Sequence, residues 1–488
     1  DRLAKLREVL LGEREARFAP QPVTIEPFDT SLNDSQRQAI EWALGAEDVA
    51  LLHGPPGTGK TTTLVELIRQ AVARGERVLA CAASNLAVDN LLERLVAAGV
   101  KAVRIGHPAR VLPELRDHTL DLLVENHPDV RVARQLARQA NSLRDRASRW
   151  TRGKPVPGEK QAMRDEARQL FADARRIEAN VVHYLLDSAD VTCGTLTSLD
   201  SETLGQRTYS LAVIDEACQT TEPACWIPLL RSERLIVAGD HCQLPPTVVS
   251  NDALREGFAV SLLERLMLRD ADTLARRLDV QYRMHETIMG FSGREFYDGT
   301  LLSDDSVARH LLCDLPQVVA DEWTTTPIHF LDTAGASFDE EQEPEGESRR
   351  NPSEATAVVR VVELLQSRGI AVGDIGVITP YAAQARLLRE LFAAQGCDIE
   401  VDTVDGFQGR EKEAIVISLV RSNTEGEIGF LSDYRRINVA LTRARRKLIV
   451  LGDSATLAHH AFYQRLLDYL QANDAYHSIW EYGDLYSP

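Results

Sequence analysis

Short apolar runs alternate with amphipathic stretches along this chain of 488 residues. Val49-Ala50-Leu51-Leu52 is continuously apolar and reads as a buried strand. Thr62 to Val72 then places Leu64, Val65, Leu67, Ile68 and Val72 at helical spacing. Arg77 to Ala82 reads as a second strand, and Ser84-Asn85 opens a helix through Leu95. Val103–Ile105, Asp190–Thr195, Leu211–Glu216 and Leu235–Asp240 repeat the apolar pattern, several ending in polar residues. Strand, polar turn and helix in repetition form the unit of a parallel α/β sheet.

From His107 to Asp187 the pattern becomes helical, polar and Arg-rich, with a break at Gly153 to Gly158. That stretch reads as an insertion. The first α/β unit runs out near Arg277 to Gln281. A second begins at Ile328–Leu331 and continues through strands at Ile375–Thr379, Ile399–Val404, Ala414–Val420 and Lys447–Gly452. Arg435 to Leu441 reads as a helix that Thr442-Arg443-Ala444-Arg445 continues, and Arg2 to Phe18 as a helix that Pro20 to Pro27 breaks. Asp339 to Glu347 is expected to be a solvated, mobile acidic loop. The expected division is 1–31 (helix and linker), 32–280 (first domain, with 107–187 inserted) and 281–488 (second domain).

One stretch carries specific chemistry. Gly54-Pro55-Pro56-Gly57-Thr58-Gly59-Lys60-Thr61 fits G-x-x-x-x-G-K-[ST], between a predicted strand and helix. Glycines let the backbone curl its N–H groups around phosphate oxygens. Lys60 supplies charge to the β- and γ-phosphates, and the Thr61 hydroxyl is a hard ligand for Mg²⁺. Gly57, Thr58, Gly59, Lys60, Thr61 and Thr62 are the candidate ATP contacts. Asp215-Glu216 ends an apolar strand, as metal-holding and base carboxylates do beside such loops. A helix-cap pair is the alternative. Gln36, ahead of the loop, offers both a donor and an acceptor to adenine. Gln243 could sense the γ-phosphate. The second unit lacks a phosphate loop, so Arg283 or Arg443 could serve as an arginine supplied in trans; a surface position is the alternative for Arg443.

Composition modifies this picture only in part. The net charge of −18 is unlike a nucleic-acid binder. Yet Arg131 to Arg176 holds 13 Lys/Arg against 5 Asp/Glu, a basic segment on an acidic body. Seven scattered cysteines without C-x-x-C spacing argue against a disulfide framework, a zinc finger or a four-cysteine cluster, and fit a reducing, cytoplasmic compartment. No apolar run is long enough to span a membrane. The chain starts at Asp1 without Met and reads as processed or trimmed.

Ten motifs then occur in order: LNDSQ, GPPGTGKT, ACAASNLAVDN, TCGTLTS, VIDEACQTTEP, GDHCQLPPT, VQYRMH, TPY, VDGFQGREKEAIVISLVRSN and INVALTRARRK. Together they resemble the superfamily 1 helicases of the Upf-like group, most of all the immunoglobulin-mu-binding-protein type. The resemblance runs from about Asn33 to Gly452. It implies two RecA-like parallel-sheet domains in tandem, ATP between them, and single-stranded RNA or DNA across their tops. By matching motif it implies Gln36 on adenine, Lys60 and Thr61 on phosphates and Mg²⁺, Asp215 on Mg²⁺ and Glu216 as the base. Gln243 would couple the γ-phosphate to closure, Tyr282 would lie on the nucleotide, Glu411 would bond the ribose, and Arg283 and Arg443 would be fingers. Asn85, Thr195, Pro380 and Thr403 would line the nucleic-acid path. The family moves 5′ to 3′. Its β-barrel domain is either upstream of Asp1 or absent. The function expected is a monomeric ATP-dependent translocase or helicase. An ATP-gated clamp without unwinding is the alternative, and a small-molecule kinase does not account for the second unit.

Overall fold

The computed structural model describes residues 2–148, 158–199, 202–344 and 346–486. By its internal contacts the chain divides into two compact units. One comprises Asp1–Leu52, Thr61–Gly239 and Pro246–Arg276; the other comprises His53–Lys60, Asp240–Pro245 and Arg277–Pro488.

The first unit is built on β1 (Val49–His53), β2 (Val78–Ala82), β3 (Ala102–Arg104), β4 (Val191–Thr195), β5 (Tyr209–Asp215), β6 (Ser232–Gly239) and β7 (Ala275–Arg277). Their order in the sheet is β3-β4-β2-β5-β6-β1-β7. The β3/β4, β4/β2, β2/β5 and β5/β6 pairs are parallel, with Ala80 beside both Cys193 and Val213. Helices cover both faces of such a sheet, so β1 and β2 are buried at every position. The first helix, Arg2–Leu11, is shorter than its apolar spacing predicts. Gly12 turns left-handed (φ +80°), and Arg269 donates to Val9 O and Leu10 O, closing the helix end.

The described residues of 107–187 form short turns and the helices Leu120–Asn126, Pro128–Ser148 and Glu159–Ser188. Pro128–Ser148 and Glu159–Ser188 pack along each other. Ala133, Ala140 and Ala147 are buried on one, Ala167, Ala174 and Val181 on the other. That seven-residue spacing makes a narrow, close-packed seam of a coiled-coil kind and leaves the arginine-rich faces to solvent. Of the glycine break, positions 153–157 lie outside the described residues.

The second unit holds β8 (Ile328–Asp332), β9 (Ile375–Thr379), β10 (Glu400–Thr403), β11 (Lys412–Ser418), β12 (Ala444–Gly452) and β13 (Tyr476–Ser478). Their order is β10-β9-β11-β12-β8-β13, and every pair is parallel. Alternation along the strands feeds two cores. Ile415 and Ile417 point to one, with Phe330 and Val450. Ala414 and Val416 point to the other, with Leu331 and Ile449.

Two local expectations change. The helix Tyr434–Leu441 ends before Thr442, and Ala444-Arg445 already belongs to β12, where Ala444 pairs with Lys412. The Thr442 hydroxyl donates to Asn438 O at 2.7 Å, which closes the helix end. In the acidic loop, Glu341-Gln342 pairs antiparallel with Arg349-Arg350. Glu340 is held by Arg421 at 2.7 Å, so opposite charge ties the loop down. Among the described residues no helix is long and apolar enough to cross a membrane.

Candidate nucleotide and nucleic-acid site

The loop geometry follows from its glycines. Gly57 (φ +77°) and Gly59 (φ +75°) are left-handed, which side-chain-bearing residues resist. A Cβ at Gly57 would stand 2.8 Å from Arg283 Cβ, so glycine is required there for space as well. Thr58 Oγ1 donates to Pro55 O at 2.8 Å and ties the loop across itself. Tyr282 N donates to Gly57 O at 2.8 Å, which fixes the Gln281-Tyr282-Arg283 segment against the loop. Lys60 begins the helix Lys60–Ala73. Thr62 Oγ1 accepts from Arg94 at 2.9 Å in this state.

Asp215 closes β5 and is 3 % exposed. Its Oδ1 accepts from Glu216 N at 2.8 Å. Glu216 is left-handed (φ 50°, ψ 39°), a conformation that costs a non-glycine residue and is retained where the surroundings enforce it. It stands at the N-cap of the 3₁₀ turn Ala217–Gln219, where its side chain makes no capping hydrogen bond. Gln219 Nε2 donates to Glu216 Oε2 at 2.9 Å. Gln36 is buried as the third residue of its helix: its Oε1 accepts from Asn33 N, and its own N–H bonds Asn33 Oδ1.

Asp240, which follows β6, is a hub that sequence reasoning missed. Its Oδ1 accepts from His53 Nε2 at 2.9 Å and Cys242 N at 3.1 Å. Its Oδ2 accepts from Gln243 Nε2 at 2.6 Å and Tyr297 OH at 2.7 Å. Burial works against ionisation, but the hydrogen bond and charge of His53, with the Gln243 and Tyr297 donors, hold this carboxyl at about 2. Burial, with His53 nearby, brings His241 down to about 4, and burial pushes the Cys242 thiol up. Four donors satisfy Asp240. Tyr297 OH in turn accepts from Asn438 Nδ2 at 2.9 Å, and Asn438 also donates to Cys242 O.

The same helix leads to Arg443, which is 3 % exposed, so the surface alternative is excluded. Its guanidinium donates to Val439 O at 2.9 Å and to Gln243 Oε1 at 3.1 Å. Gln243 thus uses both ends of its amide, one on Asp240 and one on Arg443. Arg283 pairs with Glu411 and donates to Thr442 O at 3.1 Å. Burial opposes ionisation of Glu411, but Arg283 holds it below its ordinary range. The residue expected to bond ribose is an arginine partner here.

The expected strand contacts sit at sheet ends. Asn85 follows β2, Thr195 ends β4, Pro380 follows β9 and Thr403 ends β10. Parallel α/β sheets bind ligands at this carboxyl edge. Beneath Asn85 lies a second missed feature. Arg104, 1 % exposed, donates to Asp89 at 3.1 Å and to Asn85 Oδ1 at 2.9 Å. Arg104-Ile105-Gly106 offers no motif, so nothing local announces it. In the second unit Arg443 and Glu411 precede β12 and β11, at the edge opposite Pro380 and Thr403.

Two family models, each described as an AAA domain, match residues 31–251 and 258–455. The chain is 41% identical to DNA-binding protein SMUBP-2 of Rattus norvegicus, over 99% of this chain and 49% of that protein. It is 40% identical to DNA polymerase alpha-associated DNA helicase A of Schizosaccharomyces pombe, over 92% of this chain and 68% of that one. It is 36% identical to the regulator of nonsense transcripts 1 homolog of Drosophila melanogaster, over 92% and 37%.

The chain belongs to the Upf-like group of superfamily 1 helicases. It spans about half the length of the SMUBP-2 relatives it matches. Within this helicase-family chain, the buried arginine, the amide it grips and the phosphate loop as far as Lys60 fall in one compact unit.

Proposed function

We propose that this chain is an ATP-dependent translocase or helicase acting on single-stranded nucleic acid, as a monomer moving 5′ to 3′. The observation that carries the reading is the bond from buried Arg443 to Gln243, whose amide also engages Asp240. A surface arginine has no reason to be buried on a glutamine, whereas one aimed at a γ-phosphate must be held away from water and in a fixed direction. Lys60 binds the β- and γ-phosphates. Glu216 accepts the proton of the attacking water, and Arg283 and Arg443 offset charge developing on the transferred phosphoryl group. Thr61 and Asp215 present the hard oxygens that Mg²⁺ favours, and they are the residues that would hold it. Bound there, the ion would neutralise phosphate charge. Gln36 would bond adenine, Tyr282 would lie on the nucleotide, and Glu411 would exchange Arg283 for ribose. Asn85, Thr195, Pro380 and Thr403 line the strand path.

The relatives named for DNA make single-stranded DNA the first strand to test, with RNA beside it. ATP turnover with and without each strand tests the reading; stimulation is expected, and its absence with both strands from folded protein overturns it. A tailed duplex separates a helicase from a clamp, since a clamp leaves the duplex intact while ATP is consumed.

A further inference from the structure

On the reading of this chain as a nucleic-acid motor, we infer that Arg104 is a positioning residue for the strand contact at Asn85. It turns the Asn85 amide so that a strand meets the donor end, and a phosphate oxygen is the group that end takes. Arg104 itself belongs to none of the helicase motifs.

Asn85 and Asp89 stand one turn apart on the helix Asn85–Ala97, so their side chains share a face. Arg104 ends β3, where it pairs with Cys193 of β4. Its guanidinium bonds three acceptors: Nε donates to Asp89 Oδ1 at 3.1 Å, Nη1 to Ile105 O, and Nη2 to Asn85 Oδ1 at 2.9 Å. Asp89 Oδ2 accepts from Leu112 N at 3.0 Å, so the carboxylate is held from a second side. The Arg104 and Asp89 side chains are 1 % and 3 % exposed, and neither can turn away without leaving a buried charge unpaired.

The chemistry of these groups decides the amide. A guanidinium has only donors, so the end of Asn85 that faces Arg104 is the carbonyl oxygen. The NH₂ end points elsewhere, and among the described residues it donates to no protein group. A buried ion pair with Asp89 accounts for Nε. A purely structural pair would place Nη2 on the same carboxylate, in the bidentate form that arginine favours. Here Nη2 goes instead to a half-buried amide in the expected strand path. A strand passing Asn85 therefore meets a donor held in one direction. Phosphate oxygens only accept, and most protein–DNA hydrogen bonds go to phosphate and sugar. Asn85 is also the first residue of its helix, where the dipole favours an anion. Such a contact grips a strand without reading its bases.

The test measures binding of the whole chain to single-stranded oligothymidylate by fluorescence anisotropy, beside strand-stimulated ATP turnover. Asn85→Asp keeps the shape and still accepts from Arg104, so it should melt no lower than wild type, yet it presents a carboxylate to the strand. It should bind at least about tenfold more weakly. The same fold loss is expected on an abasic strand, which keeps the phosphates and lacks the bases. Arg104→Lys keeps a charge for Asp89 but cannot fork to both acceptors. It should raise the half-saturating strand concentration, leave kcat at saturating strand unchanged, and add no loss in an Asn85→Ala background. Wild-type binding by Asn85→Asp overturns the donor assignment, and this variant leaves the buried pair untouched. A loss that vanishes on the abasic strand overturns the phosphate assignment. A further loss from Arg104→Lys on top of Asn85→Ala overturns the positioning role. Each of these leaves the motor reading standing; a folded wild type that binds no strand overturns both.

Discussion

Removing one hydroxyl tests whether Asp240 organises the coupling residues. Tyr297→Phe leaves the buried ring in place and deletes two hydrogen bonds, to Asp240 Oδ2 at 2.7 Å and from Asn438 Nδ2 at 2.9 Å. Neither partner is orphaned. Asp240 Oδ2 keeps Gln243, and Asn438 keeps Cys242 O. A hydrogen bond to a charged acceptor is worth about 1.5–3 kcal/mol, which gives about 2 kcal/mol for the variant. Holding Asp240 at about 2, against an ordinary 3.8, is the net of burial against all its partners and sets the pH dependence. The sign is that of a depressed acid: this stability is present above the ordinary carboxyl value and is lost as pH falls toward 2. Tyr297→Phe should therefore lower the thermal midpoint at pH 7 by roughly 4–8 °C, and the stability lost on acidification below the ordinary carboxyl value should be smaller. In an Asp240→Asn background the same change should cost less by about 1 kcal/mol or more. Calorimetric melts of the four proteins measure this. A midpoint within about 1 °C of wild type, or an equal cost in both backgrounds, refutes the hub.

Glu216→Gln should abolish turnover while nucleotide binding survives, measured by a fluorescent ATP analogue; full activity would remove the base assignment. Arg443→Ala should lower kcat by about 10³-fold or more if the guanidinium meets the γ-phosphate, and a loss under about tenfold would argue for a packing role. Burial pushes Glu354 up to about 7, with Ser418 and Val420 N as its donors. For a raised acid the folded state keeps its proton longer than the unfolded chain, so stability falls as pH rises from about 4.5 to about 7, by about 3 kcal/mol in all. Glu354→Gln should flatten that slope in urea melts across the interval, and an unchanged slope would place the titration elsewhere.

The fold was legible where each strand of a parallel sheet is an apolar run between polar turns. β1, β5, β6, β9 and β11 announce themselves in this way. It was not legible where pairing decides. Thr442-Arg443-Ala444-Arg445 reads as the end of a polar helix, yet β12 begins inside it because Ala444 meets Lys412. Gly12 likewise ends the first helix against its apolar spacing. In the site, the phosphate loop was legible because one turn needs its glycines at fixed spacing. Asp215 was legible as the end of an apolar strand, whereas the left-handed turn at Glu216 was not. The burial of Arg443 was not, since the glutamine it grips is 200 residues distant and the run around it is composed like a surface. Asp240, Tyr297 and Asn438 come from three segments.

The second unit's sheet also constrains how nucleotide chemistry could reach a strand. Arg443 and Glu411 stand before β12 and β11, whereas Pro380 and Thr403 stand at the far ends of β9 and β10. β11 has seven residues, about 20 Å at a strand's rise. Its middle, Ile415-Val416-Ile417, is buried and apolar, flanked by Val377, Ile378, Leu448 and Ile449. A relay of hydrogen bonds or protons cannot cross such a layer. What can cross it is displacement, because close-packed interiors transmit movement with little compression. An event that shifts Arg443 on Gln243 must then be felt at Pro380 and Thr403 as motion of the sheet as one body, which is the hinge type of switching. The far edge carries its own sign of constraint. Val420, just past β11, is held at φ 73°, a conformation β-branched residues avoid, by Asn351 and Glu354 from the helix beginning at Pro352. Strain of this kind persists only where neighbours enforce it. Here it precedes Arg421 at the edge where the strand contacts are proposed, so the rigid sheet ends in a turn whose shape is fixed rather than chosen by solvent.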